Sequence, residues 1–191
     1  MLNNSTILVT GGTGSFGHAF IPLTLAKYNP RKIIVLSRDE MKQWEMAKLF
    51  INDERVRFFI GDVRDKDRLR LAIRNVDIVF HAAAMKHIDI CEQNPFDAVK
   101  TNVVGTSNLL EVSIIENISK FILISTDKAT NPTSTLGGSK LLAERLTLDA
   151  SSYVGSGKTT FAIVRFGNVI GSRGSVFQIF HKQIDKKQPL T

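Results

Sequence analysis

Residues Thr10-Gly11-Gly12-Thr13-Gly14-Ser15-Phe16-Gly17 constrain the fold of this chain more than any other stretch. They follow the apolar run Ile7-Leu8-Val9 and precede Ala19, Phe20, Leu23, Leu25 and Ala26, whose spacing fits a helix interrupted early by Pro22. A strand that runs through a glycine-rich turn into a helix builds a phosphate-binding site. Gly11 permits the tight turn, Gly14 lets the backbone approach a pyrophosphate, and Gly17 lets helix and strand pack closely. The helix N-terminus adds free N–H groups and a partial positive charge. Glycine-rich turns also arise for steric reasons alone, but the place between strand and helix favours a dinucleotide. Thr13, Ser15 and Phe16 are counted with the glycines as cofactor-binding.

Short apolar segments recur at Ile7–Val9, Ile33–Leu36, Val56–Ile60, Ile78–Phe80, Phe121–Ile124 and Phe161–Phe166. They do not alternate, which fits strands of a parallel sheet buried on both faces. Helical periodicity fills the intervals at Glu40–Ile51, Asp67–Arg74, Pro95–Glu116 and Ser139–Ser152. The expected fold is therefore α/β, a Rossmann-like doubly wound parallel sheet. With 191 residues the chain has room for one full core and a small appendage.

The single cysteine, Cys91, excludes an internal disulfide framework and suits a reducing cytoplasm. The N-terminus lacks a signal-peptide pattern, and no apolar run approaches the ~20 residues of a membrane span. A net charge of +7 raises the question of nucleic acid. The densest basic group (Arg64, Lys66, Arg68, Arg70, Arg74) is interleaved with Asp62, Asp65 and Asp67, the pattern of a solvated helix face. No nucleic-acid partner is expected; a polyanionic cofactor and substrate account for the excess more economically.

After the sixth strand come Gly167–Ser175 and an amphipathic segment from Val176 to about Lys187. The expected organisation is a dinucleotide-binding domain with its catalytic loop over 1–170. Residues 171–191 would be only the beginning of a smaller C-terminal substrate domain. Apolar surface near Val176, Phe177, Ile179 and Phe180 would then favour association.

The residue after the second strand chooses between nicotinamide cofactors: a carboxylate binds the ribose 2′-OH, an arginine accommodates a 2′-phosphate. Ser37-Arg38-Asp39 at that point favours NADP; alternatively Arg38 is a surface residue beside an Asp39 helix cap. Asp62-Val63 would meet the adenine, or Asp62 would merely cap the next helix. The small residues Ala82, Ala83 and Ala84 let a cofactor lie close to the backbone, and His81 before them reads as structural. The fifth strand ends in Ser125-Thr126-Asp127-Lys128, a hydroxyl, a carboxylate and an amine at the edge where ligands bind. Lys140 follows on a helix, sharing a face with Leu136.

Together these residues resemble the extended short-chain dehydrogenase/reductases. Among them the chain is similar to the polysaccharide-biosynthesis UDP-N-acetylglucosamine 4,6-dehydratases of the C5-inverting type. The resemblance runs through Thr10–Gly17, Ser37–Glu40 with Lys42-Gln43, Gly61–Asp65, His81–Ala84 with Lys86-His87, and Cys91–Phe96. It continues through Lys100–Thr106, Ser125–Ala129 with Asn131-Pro132, and Arg165–Gly174. It implies that NADP takes a hydride from C4 of a UDP-sugar and that Lys128 removes the C5 proton. Asp127 would protonate the departing C6 hydroxyl, after which hydride returns to C6 and C5 is reprotonated from the opposite face. Lys140 would hold the nicotinamide ribose, Lys42 the cofactor, Lys86 and Asn168 cofactor or substrate, and Thr126 the sugar. Homo-oligomers are common among such relatives, and a helix over Pro95–Glu116 could pack across an interface.

Two departures stand out. Leu136 occupies the place of the usual tyrosine base, as an apolar residue does in larger membrane-associated relatives, and leaves Thr126 or Asp127 to take the C4 hydroxyl proton. By the resemblance, the substrate domain would also be present only at its beginning. A UDP-sugar 4-epimerase, and a catalytically silent NADP-binding module, are the alternatives to the dehydratase.

Overall fold

In the computed structural model, residues 1–154, 159–170 and 176–189 are described. Six parallel strands form one sheet in the order β3-β2-β1-β4-β5-β6. They are β1 (Thr6–Thr10), β2 (Lys32–Ser37), β3 (Val56–Ile60), β4 (Ile78–His81), β5 (Lys120–Thr126) and β6 (Thr160–Phe166). The helices are α1 (Ser15–Lys27), α2 (Glu40–Ala47), α3 (Lys66–Ala72), α4 (Ile88–Gln93), α5 (Pro95–Ala98), α6 (Gly105–Ile115), α7 (Thr135–Asp149) and α8 (Val176–Asp185). The order reverses between β1 and β4, so the crevice at that switch point lies beside the glycine-rich loop.

Burial explains the strand pattern. Every residue of β1 is buried, whereas β5 alternates and β6 is mostly exposed. Only the central strands are covered on both faces, so the expectation of non-alternating strands holds there and fails toward β6. Successive β1 side chains enter opposite cores. Leu8 packs with Val79, Phe121, Leu123 and residues of α3, α6 and α7, while Ile7 and Val9 pack with Ile33, Val35, Ile21 and Met46. Fully burying each such side chain contributes about 1.5–3 kcal/mol.

Pro22 does not interrupt α1, which runs unbroken from Ser15 to Lys27. Proline removes one N–H from the helix ladder, but Phe16 and Phe20 on the same helix stack at 5.1 Å and Phe20 lies 4.5 Å from Phe80. The expected helix over Pro95–Glu116 is present as α5, a π-helical turn at Val99–Val104, and α6. Helix α7 starts at Thr135 and not at Ser139. Ser134 caps it by accepting from the Gly137 N–H, and Glu92 of α4 accepts from both the N–H and hydroxyl of Thr135. A side chain at Gly137 would meet the Lys128 carbonyl at 2.5 Å, so this glycine sits where the helix and the β5 turn touch. The basic run after β3 is ion-paired more than merely solvated: Arg64 with Asp62, Arg70 with Asp67, and Lys66 with Glu111.

Candidate functional site

The glycine-rich loop is built from backbone. Gly11 has φ +64°, and a Cβ there would lie 2.7 Å from the Ala83 Cα. A Cβ on Gly17 would overlap the Gly12 carbonyl. Asp39, Asp65 and Ser134 cap α2, α3 and α7, but no side chain caps α1 behind Gly14. Its first-turn N–H groups face the switch point with no acidic residue among them.

Beneath this loop, Thr10, His81 and Thr106 form a buried chain. The Thr106 hydroxyl donates to the Asn102 carbonyl at 2.6 Å, so it must accept from His81 Nε2–H at 3.0 Å. His81 Nδ1 then accepts from the Thr10 hydroxyl at 2.6 Å, and Thr10 in turn accepts from the Ala83 N–H. Burial, followed by the charge of Lys140, drives the His81 pKa down to about 3. His81 is a neutral structural link, as its sequence context suggested.

The end of β2 sets the next part of the crevice. Ser37 is buried and accepts from the Thr13 hydroxyl at 2.8 Å. Asp39 caps α2 through the Lys42 N–H at 3.0 Å and pairs with the Lys42 amine at 2.8 Å. The Lys42 bond, first of all, holds the Asp39 carboxyl below its ordinary pKa. The Arg38 side chain stays 62% exposed, its guanidinium 3.8 Å from Asp62. Asp62 does not cap the following helix; Asp65 does, through the Arg68 N–H. Asp62 instead binds the backbone and side chain of Arg64. Burial alone would raise the Asp62 pKa, but the Arg64 bonds and the Arg38 charge outweigh it and lower it. Val63 is buried against Gly105, where a Cβ would come within 2.6 Å of it. Gln43 is a residue whose part the sequence did not disclose: its amide ties the Ser37 and Phe59 carbonyls of neighbouring strands.

At the end of β5 the structure gathers Thr126, Asp127, Lys128 and Asn168. The Thr126 hydroxyl donates to Asp127 Oδ1 at 2.9 Å, and the Lys128 amine lies 3.2 Å from the same oxygen and 3.4 Å from Asn168 Oδ1. Bonds from Thr126 and then Lys128 lower the Asp127 pKa, so its carboxylate form is favoured. Lys140 stands apart from this group. It is buried, donates to the Ile124 carbonyl at 2.8 Å, and titrates near 8 because burial outweighs the opposing charge of Glu144. Leu136 packs with Cys91, Ala98 and Met85 in a separate apolar cluster. Neither Tyr28, after α1, nor Tyr153, after α7, reaches the crevice edge; both are exposed. The loop of Ala84, Met85 and Lys86 is fixed by Asn102, whose amide bonds both polar groups of the Met85 backbone. Asn102 and Glu144 therefore complete the site from positions to which the sequence gave no role. Glu144 carried one readable signal, its four-residue spacing from Lys140; Asn102 lies within the Lys100–Thr106 stretch of the resemblance, but its bonds to Met85 depend on the π-helical turn. Gly171–Gly174, the end of the last motif, lies outside the described residues, as do the side chains of Val176, Phe177 and Ile179.

A parallel sheet of this order, with a glycine-rich β1–α1 loop at its switch point, defines the dinucleotide-binding Rossmann class. From residue 7 to residue 191 the chain matches the model of the family described as polysaccharide biosynthesis protein, and it belongs to that family. It is 56% identical over 188 residues to an uncharacterized membrane protein of Methanocaldococcus jannaschii, covering 98% of this chain and 56% of the relative. It is 47% identical over 194 residues to an inverting UDP-N-acetylglucosamine 4,6-dehydratase of Campylobacter jejuni, covering 100% of this chain and 58% of that enzyme. Among solved structures it is similar to Pen from Bacillus thuringiensis, with TM-score 0.93, 42% identity, and 97% and 57% of the two chains covered. A dTDP-glucose 4,6-dehydratase from Streptomyces venezuelae, solved with NAD bound, has TM-score 0.73 and 25% identity over 83% of this chain and 54% of its own. The chain thus spans little more than half the length of the curated relatives it matches. Among the described residues no helix is long and apolar enough to cross a membrane.

Proposed function

We propose that this chain is the NADP-binding and proton-transfer part of a UDP-N-acetylglucosamine 4,6-dehydratase, with residues 171–191 beginning the part that encloses the sugar nucleotide. The observation that carries this is the cluster of Asp127, Lys128, Thr126 and Asn168 at the carboxyl end of β5. A nucleotide fold alone needs no such paired acid and amine there.

The residues present fit a nicotinamide dinucleotide: Gly11 lets the loop lie tight against the Ala83 backbone, and α1 has no side-chain cap at its N-terminus. The 2′-phosphate of NADP suits exposed Arg38, because Ser37 carries no charge and the Asp39 carboxylate is occupied by its own helix. Bound there, the nicotinamide supplies a hydride acceptor at C4 and a donor at C6.

The chain's own groups would move the protons. Leu136 cannot accept one, so the C4 hydroxyl proton passes through Thr126 to Asp127, across the 2.9 Å bond between them. To act as base, Lys128 must meet the sugar as the free amine, its ammonium proton having gone to water beforehand. Lys128 then takes the C5 proton, while Asp127 gives its newly acquired proton to the departing C6 hydroxyl as water. Asn168 orients the Lys128 amine, and Lys140 holds the nicotinamide ribose. Self-association fits the exposed face of α4 and α5, where Phe96 is 82% exposed; light scattering should give more than the monomer mass.

The test is mass spectrometry of UDP-N-acetylglucosamine incubated with the chain and NADP⁺. A product lighter by one water, lost on Lys128→Met, supports the dehydratase. Unchanged substrate with folded, NADP-binding chain leaves a binding module that does not suffice for dehydration.

A further inference from the structure

Behind the Asp127–Lys128 pair lies a second polar cluster that shares no group with it. Glu144 of α7 is buried, yet its carboxylate is fully engaged. Oε1 accepts from the Ser125 hydroxyl at 2.5 Å and from Arg165 Nε at 2.9 Å, and Oε2 accepts from the second arm of Arg165 at 2.6 Å. The remaining nitrogen of Arg165 donates to the Thr130 hydroxyl at 3.2 Å. Ser125 and Thr130 are the residues on either side of the Thr126–Ala129 turn. Both ends of the segment that carries the reactive groups are thus fastened to one ion pair.

Two more connections converge on it. One helical turn before Glu144, Lys140 donates to the Ile124 carbonyl, immediately before Ser125. Three residues beyond Arg165, Asn168 reaches Lys128. The fork of Arg165 therefore sets where the chain leaves β6, and with it the distance from Asn168 to the amine. The bidentate Arg165 bond and then that from Ser125 hold the Glu144 carboxyl below its ordinary range, against the effect of burial.

We propose that Glu144 is a positioning residue, which with Arg165 clamps the two ends of the β5 turn and so fixes Asp127 and Lys128 relative to Asn168. The proposal rests on the reactive pair named above, but its test does not need turnover. The Lys128 N–H is bonded to the Thr126 hydroxyl and the Thr130 N–H to the Asp127 carbonyl. Hydrogen exchange of these amides reports the turn directly, and the amides of Gly12–Gly17 report the distant loop in the same sample.

In Glu144→Gln the turn amides should exchange about tenfold faster, the factor for losing a charge-assisted bond, with the glycine loop unchanged. Ser125→Ala removes one bond and leaves the ion pair intact, so it keeps the comparison available should Glu144→Gln fold poorly; a several-fold increase confined to the turn is expected. Arg165→Lys, which keeps the charge but not the fork, should fall between them. Where the chain dehydrates its substrate, Glu144→Gln should lower kcat and leave NADP affinity unchanged. Turn amides that exchange as in the parent, or an equal increase in turn and glycine loop, would overturn the proposal and leave Glu144 as a strand–helix tie. Absence of dehydration by the parent counts against the proposed function and not against the clamp.

Discussion

The two halves of the crevice are made in opposite ways. At the β1–α1 loop the shape is set by backbone: a left-handed glycine, a carbonyl packed against Gly17, and an uncapped helix end. At the β5 end it is set by side chains from β5, α7 and β6, tied by charge. Backbone sites tolerate little change in volume, whereas side-chain sites can lose function with the fold intact. The Arg38–Asp62 pair and the Thr10–His81–Thr106 chain lie between these extremes, polar but supporting the backbone floor.

The sharpest way to break this contrast is to substitute each half. Gly17→Ala places a methyl on the Gly12 carbonyl and should cost about 3 kcal/mol or more, a large fall in the urea midpoint. If the variant unfolds like the parent, the loop is not a rigid backbone cradle. Lys128→Met should leave the urea midpoint and NADP binding nearly unchanged while lowering dehydration by about 10²–10⁴-fold. Activity within a few-fold of the parent would remove Lys128 from the chemistry.

Lys140 sharpens the comparison, since it is a charge buried where its removal should help the fold. Its pKa falls from 10.5 to about 8 on folding, so the unfolded chain binds more protons between those values. The destabilisation is therefore full below about pH 8 and fades as pH rises toward 10.5. Lys140→Met should raise stability at pH 7 by about 2 kcal/mol, with the advantage shrinking above pH 8, and should weaken NADP binding. Matched urea titrations at pH 7 and pH 10 check the sign; a destabilised variant at pH 7 would mean that the Ile124 bond outweighs desolvation. The smallest effect is expected at Arg38, where Arg38→Ala should cut the preference for NADP over NAD by about 10- to 100-fold, read from the two dissociation constants. An unchanged ratio would assign the 2′-phosphate elsewhere.

Much of the backbone half was legible in advance. The glycine spacing implied a tight turn and close packing, and Gly11 and Gly17 show both. The parallel sheet followed from the apolar segments, because strands buried on both faces need no alternation. Pro22 gives no warning that α1 runs through it, since proline removes one N–H and the packing of Phe20 on Phe80 of β4 is a tertiary contact. The start of α7 was placed late because Gly137 and Gly138 are poor helix formers, while its N-terminus is held by Glu92 on another helix. Asp127 and Lys128 could be named as neighbours in sequence, and the structure pairs them. Asn168 could also be named, but its contact with Lys128, 40 residues away, and the bonds from Ser125 and Arg165 to Glu144 could not be read.

The sequence by itself determined the strand–turn–helix opening and the parallel architecture. These depend on local volume, local φ and short-range hydrophobic pattern, which each residue carries with it. Only the tertiary structure decided that His81 is neutral, that Lys140 titrates near 8, and that Leu136 lies among Cys91, Ala98 and Met85. Protonation and pairing depend on what surrounds a group in space, and that environment exists only once distant segments have packed together.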